Sequence, residues 1–360
     1  MIAKSKRRVL SVLMMGTFLF LSIGFSSARA EEVPAAKEKE VREAVTPTTQ
    51  EVVAAIKRRA QQILEERRKA RRLQASWEAS QGLSYEKNPA NSAERNGDGY
   101  TEESAALYLS KKLTPTIKWQ GSYSITYDGY FEYSDGSYLT QAMTPFKFTW
   151  QPGRMWRGDA GVDLSQLWYP YAGPSSYDEI KPNIKLRQNL WGRWYHSIQG
   201  EYFYRHYLSK KMRYGAGTDT DKNRQDYRYR GRYEVGTTWK DTLFKVRQEY
   251  YLHDSNDQRN DFYDAEDYKV VASINRPITQ KLSANLSYSW DRKQYRHRTV
   301  SGITSEARYD NTSTWTLSGT YDFNDIWSLN PSFSHTSLNS NDPSGEYVDW
   351  TATTLLTARF

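Results

Sequence analysis

The chain has 360 residues, a formal net charge of +8, 28 Tyr, 12 Trp and no Cys. The absence of Cys excludes a disulfide framework and a thiolate metal site. A mean hydropathy of −0.84 excludes a bundle of membrane-spanning helices. The charge does not indicate a nucleic-acid partner, because residues 1–75 account for all of it and residues 76–360 are formally neutral.

The first thirty residues have the order of a secretory signal peptide. Basic residues between positions 4 and 8 precede an apolar run, and Ala28-Arg29-Ala30 supplies a cleavage site of small residues. We therefore expect residues 1–30 to be removed on export.

Residues 31–75 are predicted to form a linker and a helix. Residues 31–48 are charged and lack aromatic side chains, which indicates a flexible linker. Thr48 and Glu51 have capping-box spacing, and a narrow apolar stripe among Lys and Arg predicts a basic amphipathic helix over 49–75. Three roles fit residues 49–73: a plug for the domain that follows, a contact to the anionic inner leaflet, or a contact to a periplasmic partner. A solvated helix without a role is the alternative.

From residue 76 onward, apolar and polar side chains alternate with a period of two, which predicts β-strands. About fourteen such runs occur, and short gaps alternate with longer, more polar ones. Pro145, Pro182 and Pro331 fall within or at the start of runs, and we expect bulges or strand ends there. The longer gaps are near residues 88–98, 133–137, 169–178, 209–225, 255–264, 294–308 and 339–345.

In several runs one parity is apolar and free of charge. The row Trp315, Leu317, Gly319, Tyr321 and Phe323 is an example, and a Lys or Arg in such a row would cost about 2–4 kcal/mol if the row faced lipid. Tryptophans beside the short gaps indicate an aromatic girdle at one membrane interface. These are Trp150, Trp156, Trp191, Trp194, Trp239 and Trp327.

The chain ends YVDWTATTLLTARF, an alternating strand with an aromatic last residue. Together with the signal peptide, the absence of Cys, the alternation and the girdle, this strand resembles those of bacterial outer-membrane β-barrels. The resemblance covers about 76–360 and implies an all-β, up-and-down antiparallel barrel of about fourteen strands in the outer membrane of a Gram-negative cell. It implies that the barrel-assembly machinery recognises Phe360, Ala358 and Leu356, although Thr354 and Ala358 depart from the usual pattern. A secreted β-sandwich is the alternative fold.

The other parity is expected to face a water-filled lumen. On runs 179–190, 193–207, 226–238 and 242–254 this parity is mainly basic, with Glu201, Glu234 and Glu249 interleaved; elsewhere its charges are largely acidic. Opposed basic and acidic walls would set a transverse field for selecting anions or acidic oligosaccharides; a salt-bridged, plugged interior is the alternative. Phe203 and Tyr251 are expected either to stack on the sugar rings of a solute or to pack against neighbouring side chains. The expected basic pore-lining residues are Lys181, Lys185, Arg187, Arg205, Arg228, Arg230, Arg232, Lys245 and Arg247, and the acidic ones are Asp128, Asp159, Asp163, Asp291, Asp322 and Asp349.

These features favour a porin or channel for diffusion of small hydrophilic solutes, with anions and oligosaccharides as candidates. An export conduit for an exopolysaccharide and a non-conducting structural or assembly barrel remain alternatives. The five histidines form no pattern that pairs a nucleophile with a base, so an enzyme is not expected. A lipid hydrolase at the barrel rim stays a further alternative. We expect no metal, cofactor or nucleic acid, and a periplasmic N-terminal extension.

Overall fold

The computed structural model describes residues 72–88, 97–171, 175–190, 192–214, 218–257, 263–300 and 303–360, together with Arg59, Gln61 and Gln62. Those three residues are helical. The rest of the predicted helix before residue 72, the linker and the signal peptide lie outside the described residues. None of the described residues belongs to a helix long and apolar enough to cross a bilayer.

Fourteen strands follow one another from Gln74 to the C-terminus, and each pairs antiparallel with its neighbours in sequence. The first strand also pairs with the last, which closes the sheet into a barrel and confirms the predicted fold. The strands are β1 (Gln74–Glu86), β2 (Asp98–Lys112), β3 (Ile117–Tyr130), β4 (Tyr138–Trp150), β5 (Trp156–Trp168), β6 (Tyr177–Asn189), β7 (Trp194–Tyr214), β8 (Thr218–Trp239), β9 (Thr242–Ser255), β10 (Ala265–Pro277), β11 (Leu282–Val300), β12 (Ile303–Asp322), β13 (Trp327–Ser340) and β14 (Tyr347–Arg359).

The apolar rows form the outer face of the barrel. Trp315, Leu317 and Leu286 are 52%, 55% and 42% exposed, and within the described residues no second layer of structure covers them. A β-sandwich would bury such a face against another sheet, so the closed ring excludes that alternative. Five tryptophans of the predicted girdle are described and lie on the outer face near the short turns: Trp150, Trp156, Trp194, Trp239 and Trp327.

Short turns join the strands at one end of the barrel, as predicted. The tightest is the two-residue turn between β8 and β9, in which Lys240 and Asp241 both have positive φ, 43° and 64°. Two left-handed residues are typical of a type I′ turn, whose twist matches that of the flanking strands. The other short connections span residues 113–116, 151–155, 190–193, 278–281 and 323–326.

Two of the predicted long loops are wrong. Residues 209–214 extend β7 and 218–225 extend β8, while β11 continues to Val300 and β12 begins at Ile303. These segments lack the apolar–polar alternation because both faces of a hairpin that projects beyond the closed ring are wetted. A polar stretch therefore resembles a loop in sequence although its backbone stays paired.

The three prolines behave differently. Pro145 lies in a register shift of β4, between Met143 and Phe146, so the predicted bulge is confirmed there. Pro182 and Pro331 lie inside β6 and β13 without any shift of register, so the prediction of bulges or strand ends is wrong for them. Each of these two prolines interrupts the hydrogen bonds to one neighbouring strand only, on the side where its missing N–H would have donated.

Candidate functional site

The inner face of β6–β9 is dominated by basic side chains. Register places Arg230 directly opposite Glu201 of β7, and Arg232 opposite Glu249 of β9, so these four side chains share one face. We call this surface the basic wall. Among its nine predicted basic residues lie four carboxylates, Glu179, Glu201, Glu234 and Glu249, so this set has a formal excess of five positive charges. Its basic members are Lys181, Lys185, Arg187, Arg205, Arg228, Arg230, Arg232, Lys245 and Arg247. Further along β8 the same face carries Arg224 and Asp226, which pair with each other.

The centre of the basic wall is a cluster of three arginines and two glutamates. The Glu249 side chain is 1% exposed; it pairs with Arg247, lies 3.2 Å from Nε of Arg232 and lies 3.6 Å from Nη1 of Arg230. Glu201 pairs with Arg230 and lies 4.0 Å from Arg232. The cluster therefore retains one positive charge, and each buried carboxylate is compensated.

Two aromatic side chains fill the space between these charges. Phe203 is 8% exposed, and Arg230 and Arg228 lie 5.1 and 5.5 Å from its ring centroid. The Tyr251 hydroxyl accepts a hydrogen bond from Arg230 Nη1 at 3.1 Å and donates one to Glu249. Guanidinium groups thus lie against the two rings where a sugar would have to stack. This favours a packing role for Phe203 and Tyr251 over a role in stacking on sugar rings.

The remaining members of the basic wall differ in how they are compensated. Lys181 lies 3.1 Å from Asp163 of β5. Arg187 packs 3.7 Å from the Tyr195 centroid and donates to Asn189. Among the described residues, no carboxylate oxygen lies within 4 Å of the charged nitrogens of four members. These members are Lys185, Arg187, Arg228 and Lys245.

The six expected acidic residues are spread over β3, β5, β11, β12 and β14. Asp159 and Asp163 lie beside the basic wall, where Asp159 accepts hydrogen bonds from Arg157 and Thr149. Asp291 lies 4.0 Å from Lys269, and Asp349 accepts a backbone hydrogen bond from Asn88. Asp128 is buried on β3, and Asp322 ends β12 at a short turn.

Opposite the basic wall lies a surface that sequence reasoning missed. β14 is seven strands from β7 in either direction round the ring, and the inward parity of β12–β14 is rich in hydroxyl groups. Thr314 and Thr336 are hydrogen bonded at 3.1 Å, as are Ser84 and Thr353 at 2.9 Å. We call this surface the hydroxyl wall. Its members are Thr312, Thr314, Thr316, Ser318, Thr320, Ser328, Ser332, Ser334, Thr336, Thr351, Thr353 and Thr357.

The hydroxyl wall could have been found by reading every inward residue instead of the charged ones alone. The same parity reveals Glu179, which pairs with Arg205 at 2.9 Å. Arg224 was missed for a different reason, because it falls within the stretch 209–225 that was read as a loop.

The residues expected to signal assembly lie at the barrel seam. Leu356 and Phe360 are 42% and 53% exposed, whereas Ala358 is only 5% exposed. Ala358 is paired with Trp327 on one side and Ala79 on the other.

Comparison with known proteins found no matching family model and no matching curated protein. Solved structures with a similar course of the chain include a loop-deletion mutant of OmpT, an outer membrane protein of Vibrio cholerae, at 8% identity and a TM-score of 0.49. The aligned region covers 80% of this chain and 99% of that one. An anion-selective porin from Comamonas acidovorans is similar at 7% identity and a TM-score of 0.44, covering 80% of this chain and 99% of the porin.

A third similar structure is a mutant of the TodX monoaromatic hydrocarbon channel, at 8% identity and a TM-score of 0.45. It covers 79% of this chain and 90% of the channel. Likeness at this level concerns the course of the backbone and transfers no activity. The architecture expected from the resemblance to outer-membrane β-barrels is present in the structure: a closed ring of fourteen antiparallel strands with an apolar outer face.

Proposed function

We propose that the chain is an integral outer-membrane channel for small hydrophilic anions. The exposed apolar rows and the tryptophan girdle support the location, because hydrocarbon is the solvent that such a face requires. The predicted signal peptide supports export from the cytoplasm.

The observation that carries the preference for anions is the uncompensated charge of the basic wall. Lys185, Arg187, Arg228 and Lys245 have no carboxylate within 4 Å among the described residues, so their charges act on the lumen instead of on a fixed partner. In a lumen with low-dielectric walls, such charges raise the local concentration of anions and repel cations.

The hydroxyl wall supports the same proposal. Its members are neutral, so they leave the field of the basic wall in place while offering donors and acceptors to a hydrated or hydroxylated solute. An acidic sugar satisfies both walls at once, since it carries a carboxylate and several hydroxyl groups.

Assembly and the N-terminal segment belong to the proposal as well. Recognition of Phe360, Ala358 and Leu356 by the barrel-assembly machinery is consistent with their place at the last strand of the ring. Residues 49–73 are proposed to lie in the periplasm, where their basic side chains meet a partner or the anionic inner leaflet.

Conductance in planar lipid bilayers tests the function. Under a KCl gradient, the reversal potential of the mature chain is expected to show preference for chloride, and Lys185→Gln combined with Lys245→Gln is expected to weaken that preference. Lys111→Gln is the matched control, since Lys111 is paired with Trp119 on the outer face. A closed or cation-selective barrel contradicts the proposal and favours the structural or assembly alternative.

Gel mobility tests the location. The mature chain is expected to need detergent and to migrate differently before and after boiling, as a closed barrel unfolds only on heating. A chain that stays soluble without detergent contradicts an integral membrane location.

A further inference from the structure

A cavity of about 140 Å³ lies at the loop-side end of the basic wall, between β6, β7, β8, β9 and β11. This volume accommodates a compact ion with a few water molecules. Five of the side chains around it are basic, so most of the charged groups on its surface are hydrogen-bond donors. They are Arg205, Arg224, Arg228, His253 and Lys293.

The first of these cations is already neutralised. Nε and Nη2 of Arg205 donate to Oε2 of Glu179 at 3.2 and 2.9 Å, and the Arg205 guanidinium packs 3.8 Å from the Tyr177 centroid. These contacts fix the guanidinium in place and cancel its charge.

The second cation is neutralised in the same way. Nε and Nη2 of Arg224 donate to the two oxygens of Asp226 at 2.8 and 2.7 Å, and Ser255 Oγ donates to the same carboxylate at 2.7 Å. The guanidinium lies 3.4 Å from the Tyr263 centroid and 4.9 Å from that of Tyr207. Asp226 is thus fully engaged with donors, and it contributes no free negative charge to the cavity.

Arg228 and Lys293 are in a different situation. Within the described part of the chain, neither has a carboxylate oxygen within 4 Å of its charged nitrogens. Arg228 Nε donates to His253 Nδ1 at 3.1 Å, which leaves the other guanidinium N–H groups for a ligand. The neutral His253 ring then carries its proton on Nε2, which faces Oδ2 of Asp267 at 3.9 Å. Register places Asp267 directly opposite Lys293, so this carboxylate offsets one of the positive charges of Arg228 and Lys293.

The cavity therefore presents two cations, while the carboxylates of Glu179 and Asp226 on its surface are already engaged by arginines. The third carboxylate on its edge, Asp254, is exposed and is paired with Tyr227. Two cations that share a partly buried cavity repel each other, and an anion between them removes that repulsion.

We infer that this cavity binds one compact oxyanion, the carboxylate, phosphate or sulfate group of a small solute. Arg228 and Lys293 supply both the charge and the donors, and His253 Nδ1 holds the Arg228 side chain in place. The inference rests on the proposed channel for its setting, since a solute reaches the cavity through the lumen. It adds a discrete binding step to diffusion along the basic wall.

Isothermal titration of the full mature chain in detergent micelles at low salt tests the site. The probes are inorganic phosphate and glucuronate, with glucose as the neutral counterpart. Phosphate is expected to bind at one site per chain, glucose is not, and binding of glucuronate shows that a carboxylate on a sugar also fits. Arg228→Gln combined with Lys293→Gln is expected to weaken phosphate binding at least about tenfold.

The matched control combines Lys111→Gln with Arg276→Gln, which removes the same charge from the outer face and is expected to leave binding within about twofold of wild type. Lys111 pairs with Trp119, and Arg276 pairs with Ala284. Heat-modifiable gel mobility verifies that every variant is folded. Equal loss in both double variants, or no phosphate binding by the wild-type chain, overturns the inference. Because binding is measured without conduction, a barrel that conducts anions but binds no phosphate contradicts the cavity alone. A barrel that binds phosphate but does not conduct contradicts the channel alone.

Discussion

Trp77 and Phe360 stack across the seam of the barrel, with ring centroids 4.0 Å apart and planes inclined by 14°. Their backbones also exchange two hydrogen bonds, each 2.9 Å long, between the N–H of one residue and the carbonyl of the other. The C-terminal aromatic residue is therefore a structural element of the closed ring, where the first and last strands meet.

Replacing Phe360 by Ala is expected to lower the free energy of unfolding by about 1 kcal/mol beyond the loss of apolar area, because the stacked pair is lost. Urea unfolding in micelles measures this effect. Phe146→Ala is the control, since Phe146 is 58% exposed on the outer face and has no aromatic ring contact among the described residues. An equal loss in the control would contradict a specific role of the seam.

Replacing Glu249 by Gln is expected to destabilise the barrel by about 3–5 kcal/mol, because three arginines lose a buried counter-charge. The same unfolding experiment measures the loss, and chloride selectivity is expected to rise. Glu266→Gln is the control: its pair with Arg296 is exposed, and such pairs contribute about 0–1 kcal/mol. Equal effects of the two variants would show that the central cluster does not hold the wall together.

A substitution on each side of β12 tests the assignment of faces. Leu317→Arg is expected to cost about 2–4 kcal/mol or to prevent membrane insertion, because the side chain is 55% exposed on the apolar face. Thr316→Arg, one position earlier on the opposite face, is expected to be tolerated. The two variants are compared by the yield of heat-modifiable barrel after refolding into lipid vesicles. A higher yield for Leu317→Arg than for Thr316→Arg would show that the outer and inner faces of β12 are assigned the wrong way round.

The turn between β8 and β9 offers a stabilising change. Asp241 has a φ of 64°, so Asp241→Gly is expected to raise the free energy of unfolding by up to about 1 kcal/mol through relief of a left-handed conformation. Asp325→Gly in the short β12–β13 turn is the control, because Asp325 is not among the described residues with positive φ. There, glycine is expected to destabilise by increasing the entropy of the unfolded chain.

Stability is expected to depend on pH through the rim of β12. Burial raises the pKa of Asp310, but hydrogen bonds from Arg308 and Ser340 and the Arg308 charge outweigh burial and hold the pKa below its ordinary value. Ionised Asp310 therefore stabilises the fold above the unfolded pKa of about 3.9, and this contribution is lost as the pH falls through the lower folded value.

Unfolding free energies of the wild-type chain and Asp310→Asn, measured from pH 7 down to pH 2, test this linkage. The difference between them is expected to be constant near neutrality and to shrink below about pH 4. A difference that stays constant down to pH 2 would show that Asp310 does not contribute through its charge.

Much of the barrel follows from the alternation of the sequence. The number of strands, the closed antiparallel order, the outer face and the positions of the short turns were all predicted. The extents of the β7–β8 and β11–β12 hairpins were not, because strands wetted on both faces lose the apolar signal. Bulges or strand ends were wrongly predicted at Pro182 and Pro331. A strand continues through a proline when only one of the two neighbouring strands loses a hydrogen bond there.

What the sequence determined by itself is the parity of each strand, since the period of two is a local property of the chain. Which charges meet was decided only by the tertiary structure. Parity places Arg205, Arg228 and Arg230 on one face, but Arg205 and Arg230 each pair with a glutamate while Arg228 bonds to His253. Those partners lie on neighbouring strands, and the register between strands, which closing the ring fixes, decides which side chains come within reach.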